Sequence, residues 1–236
     1  LDPVAREVHC ADGTTLRYDA LSLDIGSCSR GAQTVPGVAE HAISTRPISA
    51  LLARVEAAER GFSEDGTVRA VVVGGGAAGI ELAMALQARW DRELGGKQRL
   101  SVTLLDSGAE LLSYEPPACR AAVREALRER GIAVEHGCVV RAVRADAVEL
   151  AEGDARREVP ATHVLWATGA EAQSLAEVLA RRGLATSERG WVRVTPTLQC
   201  VSHDDIFAAG DCAQIDGLPG GAASPPKAGV YAVRAG

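Results

Sequence analysis

An α/β fold built on a parallel sheet is predicted by three features of this 236-residue sequence. Two short apolar runs, 68–73 (VRAVVV) and 101–106 (SVTLLD), have the near-continuous character of strands buried on both faces. A long helical pattern, 78–94, lies between them. The hexapeptide Gly74-Gly75-Gly76-Ala77-Ala78-Gly79 joins the first run to that helix. Strand–helix–strand order of this kind makes a parallel sheet. With aromatics at only 3% of residues, its core must be built from Ala, Val, Leu and Ile, small enough for helices to pack closely on strands.

Taken in order, the chain opens on a hairpin signal. Asp12-Gly13 stands between EVHC (7–10) and TLRY (15–18), and Asp-Gly readily takes the positive φ of a tight turn. A short strand follows at 20–27, ending at Gly26. Residues 31–47 read as a loop, and 48–60 as a helix with Leu51, Leu52, Val55 and Ala58 at helical spacing. After the 68–106 unit, 117–130 is helical and Gly131 ends it. The segments 139–143, 147–150 and 156–159 are short and polar-interleaved, as an antiparallel three-stranded meander is. A buried strand, 162–167, ends in Thr168-Gly169. A helix at 172–182, strands at 191–194 and 206–209, and a helix at the chain end complete the pattern.

The bulk properties exclude several classes. A formal charge of −6 gives no clustered basic surface for nucleic acid. Six scattered cysteines, none in CxxC spacing, suit reduced thiols in a cytoplasmic compartment rather than a disulfide framework. Five histidines show no pairing, and no metal site is expected. The longest apolar stretch, 70–86, contains Glu81 and four glycines, so no transmembrane segment is expected. Both ends of the sequence read as cut.

The glycine hexapeptide carries the strongest chemical signal. Gly74 permits a tight turn, Gly76 lets backbone approach a pyrophosphate, and Gly79 lets the helix pack on the strand, with Gly75 and Ala77 completing the cradle. The positive end of the helix then faces the phosphates. These are the marks of a Rossmann-like dinucleotide site. Asp106 ends the second strand, where a carboxylate accepts hydrogen bonds from the adenosine ribose hydroxyls and repels a 2′-phosphate, favouring NADH over NADPH. The plainer alternative is a phosphate-free turn with Asp106 as a cap. Glu81, placed in the first helical turn, is either a dipole-favoured carboxylate or a neighbour of the nicotinamide ribose or flavin edge. A second signal is Phe207-Ala208-Ala209-Gly210-Asp211-Cys212-Ala213, a buried strand delivering Gly210 and Asp211 to a turn.

Together, the glycine hexapeptide with Glu81, Ala167-Thr168-Gly169 and the 207–213 segment resemble the two-dinucleotide-binding flavoprotein superfamily. This is the FAD-dependent pyridine nucleotide-disulfide oxidoreductase family, which includes type II NADH dehydrogenases, sulfide:quinone reductases, ferredoxin reductases and disulfide reductases. The stretches YDALSLDIGS (18–27) and PKAGVYAVR (226–234) resemble the NADH-dehydrogenase-like modules fused in some proteins to selenide, water dikinase. The resemblance implies an NAD-binding domain, 67–189, inserted in a partial FAD-binding domain, 1–66 and 190–236. It also implies NADH as hydride donor to flavin, with a quinone or other small molecule as electron acceptor, and it admits a homodimer. Asp211 resembles the aspartate that binds the ribityl hydroxyls of FAD, and Gly210 its backbone partner. Thr168 and Gly169 resemble the turn closing the nicotinamide domain, and Gly26 the corresponding turn on the flavin side. The helix starting near Ala228 is expected to point at the flavin pyrimidine, with Lys227 supporting negative charge there; the commoner role for such a lysine is an exposed helix start. The superfamily's first GxGxxG and its C-terminal interface domain have no counterpart here, so firm FAD binding by this chain alone is not expected. A non-catalytic nicotinamide-binding module of a fusion protein is the alternative reading.

Overall fold

The computed structural model describes residues 1–63, 66–96, 99–152 and 155–235. They form two compact units, Ser29–Gly169 and Leu1–Cys28 with Ala170–Gly236.

The Ser29–Gly169 unit is built on a five-stranded parallel sheet. Its strands lie in the order Ala42–Ser44, His163–Trp166, Val68–Val73, Leu100–Leu105, Ala133–Glu135. Successive side chains on a strand point to opposite faces, and the apolar runs therefore feed two cores. Ala70, Val72, Val102, Leu104 and Leu165 join one; Val71, Val73, Leu105, Val164 and Trp166 join the other. The first core is filled by the helices Ile48–Arg60, Ala77–Glu93 and Pro117–Glu129 through Val55, Ile80, Ala83, Leu86, Trp90 and Leu127. Where a doubly wound sheet carries helices on its second face, this one is covered by the antiparallel meander Val139–Val143, Ala147–Glu152 and Ala155–Pro160, which contributes Val143, Val148, Leu150 and Val159.

In the helix Ala77–Glu93 the buried positions are Gly79, Ile80, Ala83, Leu86 and Trp90, the three-and-four spacing of one apolar stripe. Trp90 ends that stripe. Its indole N–H donates to Glu59 at 2.9 Å, and Arg89 makes two bonds to the same carboxylate at 2.5 and 2.7 Å. The Arg89 guanidinium holds the Glu59 carboxyl below the usual carboxylate range. Trp90 also meets Phe62 (5.3 Å between centroids) and His163 (5.4 Å) edge to face. His163 begins its strand, so this aromatic cluster lies at the end of the sheet away from the glycine loop.

Two parts of this unit differ from the sequence-based expectation. The 31–47 segment is not a plain loop: it holds a short helix, Val38–His41, and the edge strand Ala42–Ser44, register-paired to Val164, Leu165 and Trp166. Ala133–Glu135, the opposite edge, was not anticipated at all. Pairing with a neighbour, not any apolar pattern of their own, makes these three-residue segments into strands. As a result, residues 29–66 share a compact unit with the glycine loop.

The second unit opens on the expected hairpin, Glu7–His9 antiparallel to Thr15–Arg17, with Gly13 at φ +87° in the turn. Leu21–Leu23 runs parallel to Ile206–Ala208, and Val192–Val194 parallel to Ala213–Ile215. Leu179, Leu184, Val192, Val194, Ile206, Ala208 and Cys212 form the core. The helix expected over 172–182 is confined to Leu175–Arg181.

Candidate functional site

At the end of the central strand the glycines differ sharply in what demands them. Gly74 has φ +120°, donates its N–H to the Leu105 carbonyl at 2.8 Å, and a Cβ there would stand 2.4 Å from the Ala167 carbonyl oxygen. A Cβ on Gly79 would lie 1.9 Å from the Gly74 carbonyl oxygen, so the helix can sit this close to the strand only without a side chain there. On Gly75 it would meet the Asp106 carboxyl carbon at 2.4 Å. Gly76 is the exception. It is exposed, its φ/ψ of −78°/174° suits any residue, and a Cβ would meet nothing within 4 Å. The fold requires three of these glycines; at Gly76 it leaves open space beside the start of a 17-residue helix that no side chain caps. Ala77 and Ala78 are exposed beside it.

Asp106 follows the neighbouring strand and is half-buried; its carboxylate accepts the Gly75 N–H at 3.2 Å. Thr168 follows the strand on the other side. Its backbone nitrogen lies 3.2 Å from the Cβ position of Gly74, and its hydroxyl donates to the Arg30 carbonyl at 2.6 Å. That carbonyl also accepts the Trp166 indole N–H at 2.8 Å, and the Arg30 N–H donates to Gly169 at 2.8 Å. Gly74, Gly75, Gly76, Ala77, Gly79, Asp106, Thr168 and Gly169 are thus gathered at the C-terminal edge of three adjacent parallel strands, where ligands of open α/β sheets bind. Glu81 differs from its expected place. The helix starts at Ala77, so Glu81 is its fifth residue, exposed and past the first turn.

In the other unit, parallel pairing of Leu23 with Ala208 puts the turns after both strands side by side. Gly210 has φ +70°, and a Cβ there would stand 2.8 Å from Asp24 Oδ1; Gly26, at φ +61°, faces open space. Asp211 accepts a 2.7 Å hydrogen bond from the buried Ser27 hydroxyl. Lys227 places its ammonium 4.7 Å above the Trp191 ring and donates to the Ala213 carbonyl. Burial pushes this ammonium below the usual lysine range, with Asp211 opposing the shift. Gly210, Asp211, Ala213, Lys227, Ala228 and Tyr231 line one small pocket. Lys227 is therefore half-buried, not the exposed start of a helix; the helix itself is Gly229–Ala235, and Ala228 precedes it, exposed.

A model of the pyridine nucleotide-disulphide oxidoreductase family matches residues 1–236. The chain belongs to that family. It is 31% identical over 171 residues to the type II NADH:quinone oxidoreductase of Haemophilus influenzae, covering 70% of this chain and 37% of that protein. It is 37% identical over 151 residues to the nitric oxide reductase FlRd-NAD(+) reductase of Escherichia coli O139:H28, covering 63% of this chain and 36% of the relative. Among solved structures, NDH2 from Plasmodium falciparum in complex with NADH superposes with a TM-score of 0.76 at 17% identity, over 91% of this chain and 49% of that one, a likeness of fold. The chain thus spans less than half the length of these proteins. The family is one of oxidoreductases that use FAD and NAD(P)H.

Against this family background, Ser27 and Trp191 are the residues that sequence reasoning passed over. Ser27 follows the Gly26 turn, which alone gave a signal; Trp191 read only as part of a strand. Cys28 turns its sulfur to the Glu171 and Ala172 carbonyls, each at 3.4 Å. The Cys212 sulfur lies 3.1 Å from the Ala209 carbonyl, and burial pushes its thiol up. Among the described residues there is no His/Cys/Asp/Glu cluster able to hold a metal ion, and no helix long and apolar enough to cross a membrane.

Proposed function

We propose that the Ser29–Gly169 unit binds NADH at its glycine loop, that the other unit contributes to an FAD site around Asp211, and that the chain serves an FAD-dependent NADH oxidoreductase with a quinone as acceptor. When bound, the reduced nicotinamide supplies a hydride and FAD receives it. The observation that carries the reading is the contrast among the glycines. Gly74, Gly75 and Gly79 are demanded by their protein neighbours, whereas Gly76 fronts empty space at an uncapped helix start. A pyrophosphate fits that space, with helix-terminal N–H groups and the positive dipole end as its partners.

In this reading Asp106 accepts the adenosine ribose hydroxyls while its bond to the Gly75 N–H fixes its rotamer. Thr168 and Gly169, tied to Arg30, border the same crevice. Asp211, oriented by Ser27, serves as the acceptor for ribityl hydroxyls, and the Lys227 ammonium, held over Trp191, lies on the same pocket as a positive charge for reduced flavin. Quinone as acceptor follows the Haemophilus relative's name; a protein acceptor, as the Escherichia relative's name suggests, is the second reading.

Calorimetric titration tests the nucleotide site. NADH is expected to bind, NADPH more weakly, and Gly76→Val to lose about a hundredfold in affinity through lost charge-assisted hydrogen bonds. A folded Gly76→Val variant that binds NADH as the wild type does would refute the site.

A further inference from the structure

The loop that follows Asp106 carries a second carboxylate with an unusual assignment. Glu110 is paired at once with two guanidiniums from the helix Pro117–Glu129: Arg120 donates to its Oε2, and Arg124 reaches its Oε1 at 3.4 Å. The backbone that carries Glu110 stands close to the Asp106 carboxylate. The loop folds back so that the Cβ position of Gly108 lies 3.1 Å from Asp106 Oδ2 and 3.4 Å from the Glu110 carbonyl oxygen. The Gly137 N–H donates to Gly108 at 3.0 Å, and that of Cys138 to Asp106 at 2.8 Å, pinning the loop at both points. Arg120 is the more deeply held of the two. Its side chain is 20% exposed, and its Nε is buried with no hydrogen-bond partner among the described residues. A guanidinium turned inward with one N–H unsatisfied needs a strong anchor, and Glu110 provides it.

Resting on the reading that Asp106 faces the adenosine ribose, we infer that Glu110 is a specificity-determining residue that keeps Arg120 and Arg124 from receiving a 2′-phosphate. The chain holds two arginines within the same short loop-and-helix segment as the ribose carboxylate. Arginine is the side chain best suited to a phosphate, since its planar fork donates two parallel hydrogen bonds. Left unpaired, these guanidiniums would offset the repulsion between Asp106 and a phosphorylated ribose. Paired with Glu110, they add no net positive charge to the loop beyond one unit, and each points one terminal donor at that carboxylate. Discrimination against NADPH thus has two parts: repulsion by Asp106 and sequestration of the arginines by Glu110. Glu110 touches neither the ribose nor the phosphates in this arrangement; it acts through the arginines, as a positioning residue.

The test is calorimetric titration of the wild-type chain, Glu110→Gln, and Glu110→Gln combined with Arg120→Ala and Arg124→Ala, each with NADH and with NADPH. Glu110→Gln is expected to tighten NADPH by about tenfold, as one added charge-assisted hydrogen bond does, while NADH affinity stays within about twofold. The triple variant is expected to return NADPH to its wild-type affinity. Glu110→Ser, which removes the carboxylate from a half-exposed position, provides the same comparison should Glu110→Gln fail to fold. Intact NADH binding with no gain in NADPH affinity overturns this inference alone, and so does a gain that survives loss of both arginines. A folded wild-type chain that binds neither nucleotide overturns the underlying site and this inference with it.

Discussion

Gly79 and Gly76 sit three residues apart in one loop, yet alanine is expected to destabilise the fold at the first and leave it nearly unchanged at the second. At Gly79 the new Cβ would stand 1.9 Å from the Gly74 carbonyl oxygen, more than an ångström inside the 3.0 Å that real Cβ atoms keep. The opposing atom is backbone, and Gly74 is itself fixed by its hydrogen bond to Leu105 and by Ala167. Relief requires the helix Ala77–Glu93 to retreat from the sheet, loosening the contacts of Ile80 and Ala83, which are 4% and 0% exposed. Overpacking costs typically 1–3 kcal/mol, and a backbone-on-backbone clash belongs at the top of that range, about 3 kcal/mol. For a chain of this size that lowers the melting temperature by about 6–12 °C. Gly76→Ala meets no atom and keeps an ordinary φ/ψ. It loses about 1 kcal/mol of helix-start preference and regains about 0.4–1 kcal/mol from a stiffer unfolded chain, leaving stability nearly unchanged. Urea unfolding followed by the fluorescence of the buried Trp90, Trp166 and Trp191 measures both. A Gly79→Ala variant as stable as the wild type would refute the packing argument. A Gly76→Ala variant as damaged as Gly79→Ala would mean that the fold, not a ligand, demands glycine there.

Two further predictions concern titration. Burial holds His163 below the usual histidine range, so the folded state favours the neutral ring. The stability this represents is complete above the unfolded value of 6.5 and is lost as pH falls from there through the folded-state value; the urea midpoint is expected to drop between pH 7 and pH 5. His163→Phe, which keeps the edge-to-face contacts with Phe62 and Trp90, should flatten that drop, and an unchanged slope would sink the assignment. Lys227 is expected to lose its proton below the ordinary lysine range, changing Trp191 fluorescence through the loss of the cation above its ring. An alkaline fluorescence titration that is the same in Lys227→Met would show that the ammonium does not sit on Trp191.

The parts of the fold that read directly from sequence are those whose side chains carry their own pattern. VRAVVV and SVTLL are mostly apolar because both faces are covered, with only Arg69 and Ser101 exposed among them, and the glycine loop is legible because Gly74, Gly75 and Gly79 each answer a separate steric demand while Gly76 completes the spacing. Ala42–Ser44 and Ala133–Glu135 escaped because edge strands of three residues owe their conformation to a neighbour's hydrogen bonds, which leave no periodicity in the chain. The same holds at the candidate sites. Asp211 was visible as the acid after a glycine turn, but the Ser27 hydroxyl that orients it comes from 184 positions away. Glu110 belongs to no sequence motif, since only the folded loop brings Arg120 and Arg124 to it. Glu81 was placed in the first turn because its helix starts one residue earlier than the pattern indicates.

That distance of 184 positions also bears on the order in which the molecule is made. The unit containing Ser27 and Asp211 is assembled from two stretches of chain that emerge far apart during synthesis, with the whole of Ser29–Gly169 between them. Closing a flexible loop of that length would cost about 4–5 kcal/mol, comparable to the entire stability of many domains. The hydrogen bond from the Arg30 N–H to the Gly169 carbonyl changes this cost, because it holds the two ends of the intervening unit 2.8 Å apart once that unit has folded. The parallel sheet then acts as a staple, and the flanking stretches meet as if joined by a short turn. Mutations that slow folding of the Ser29–Gly169 unit should therefore delay the other unit as well, even where they touch none of its residues.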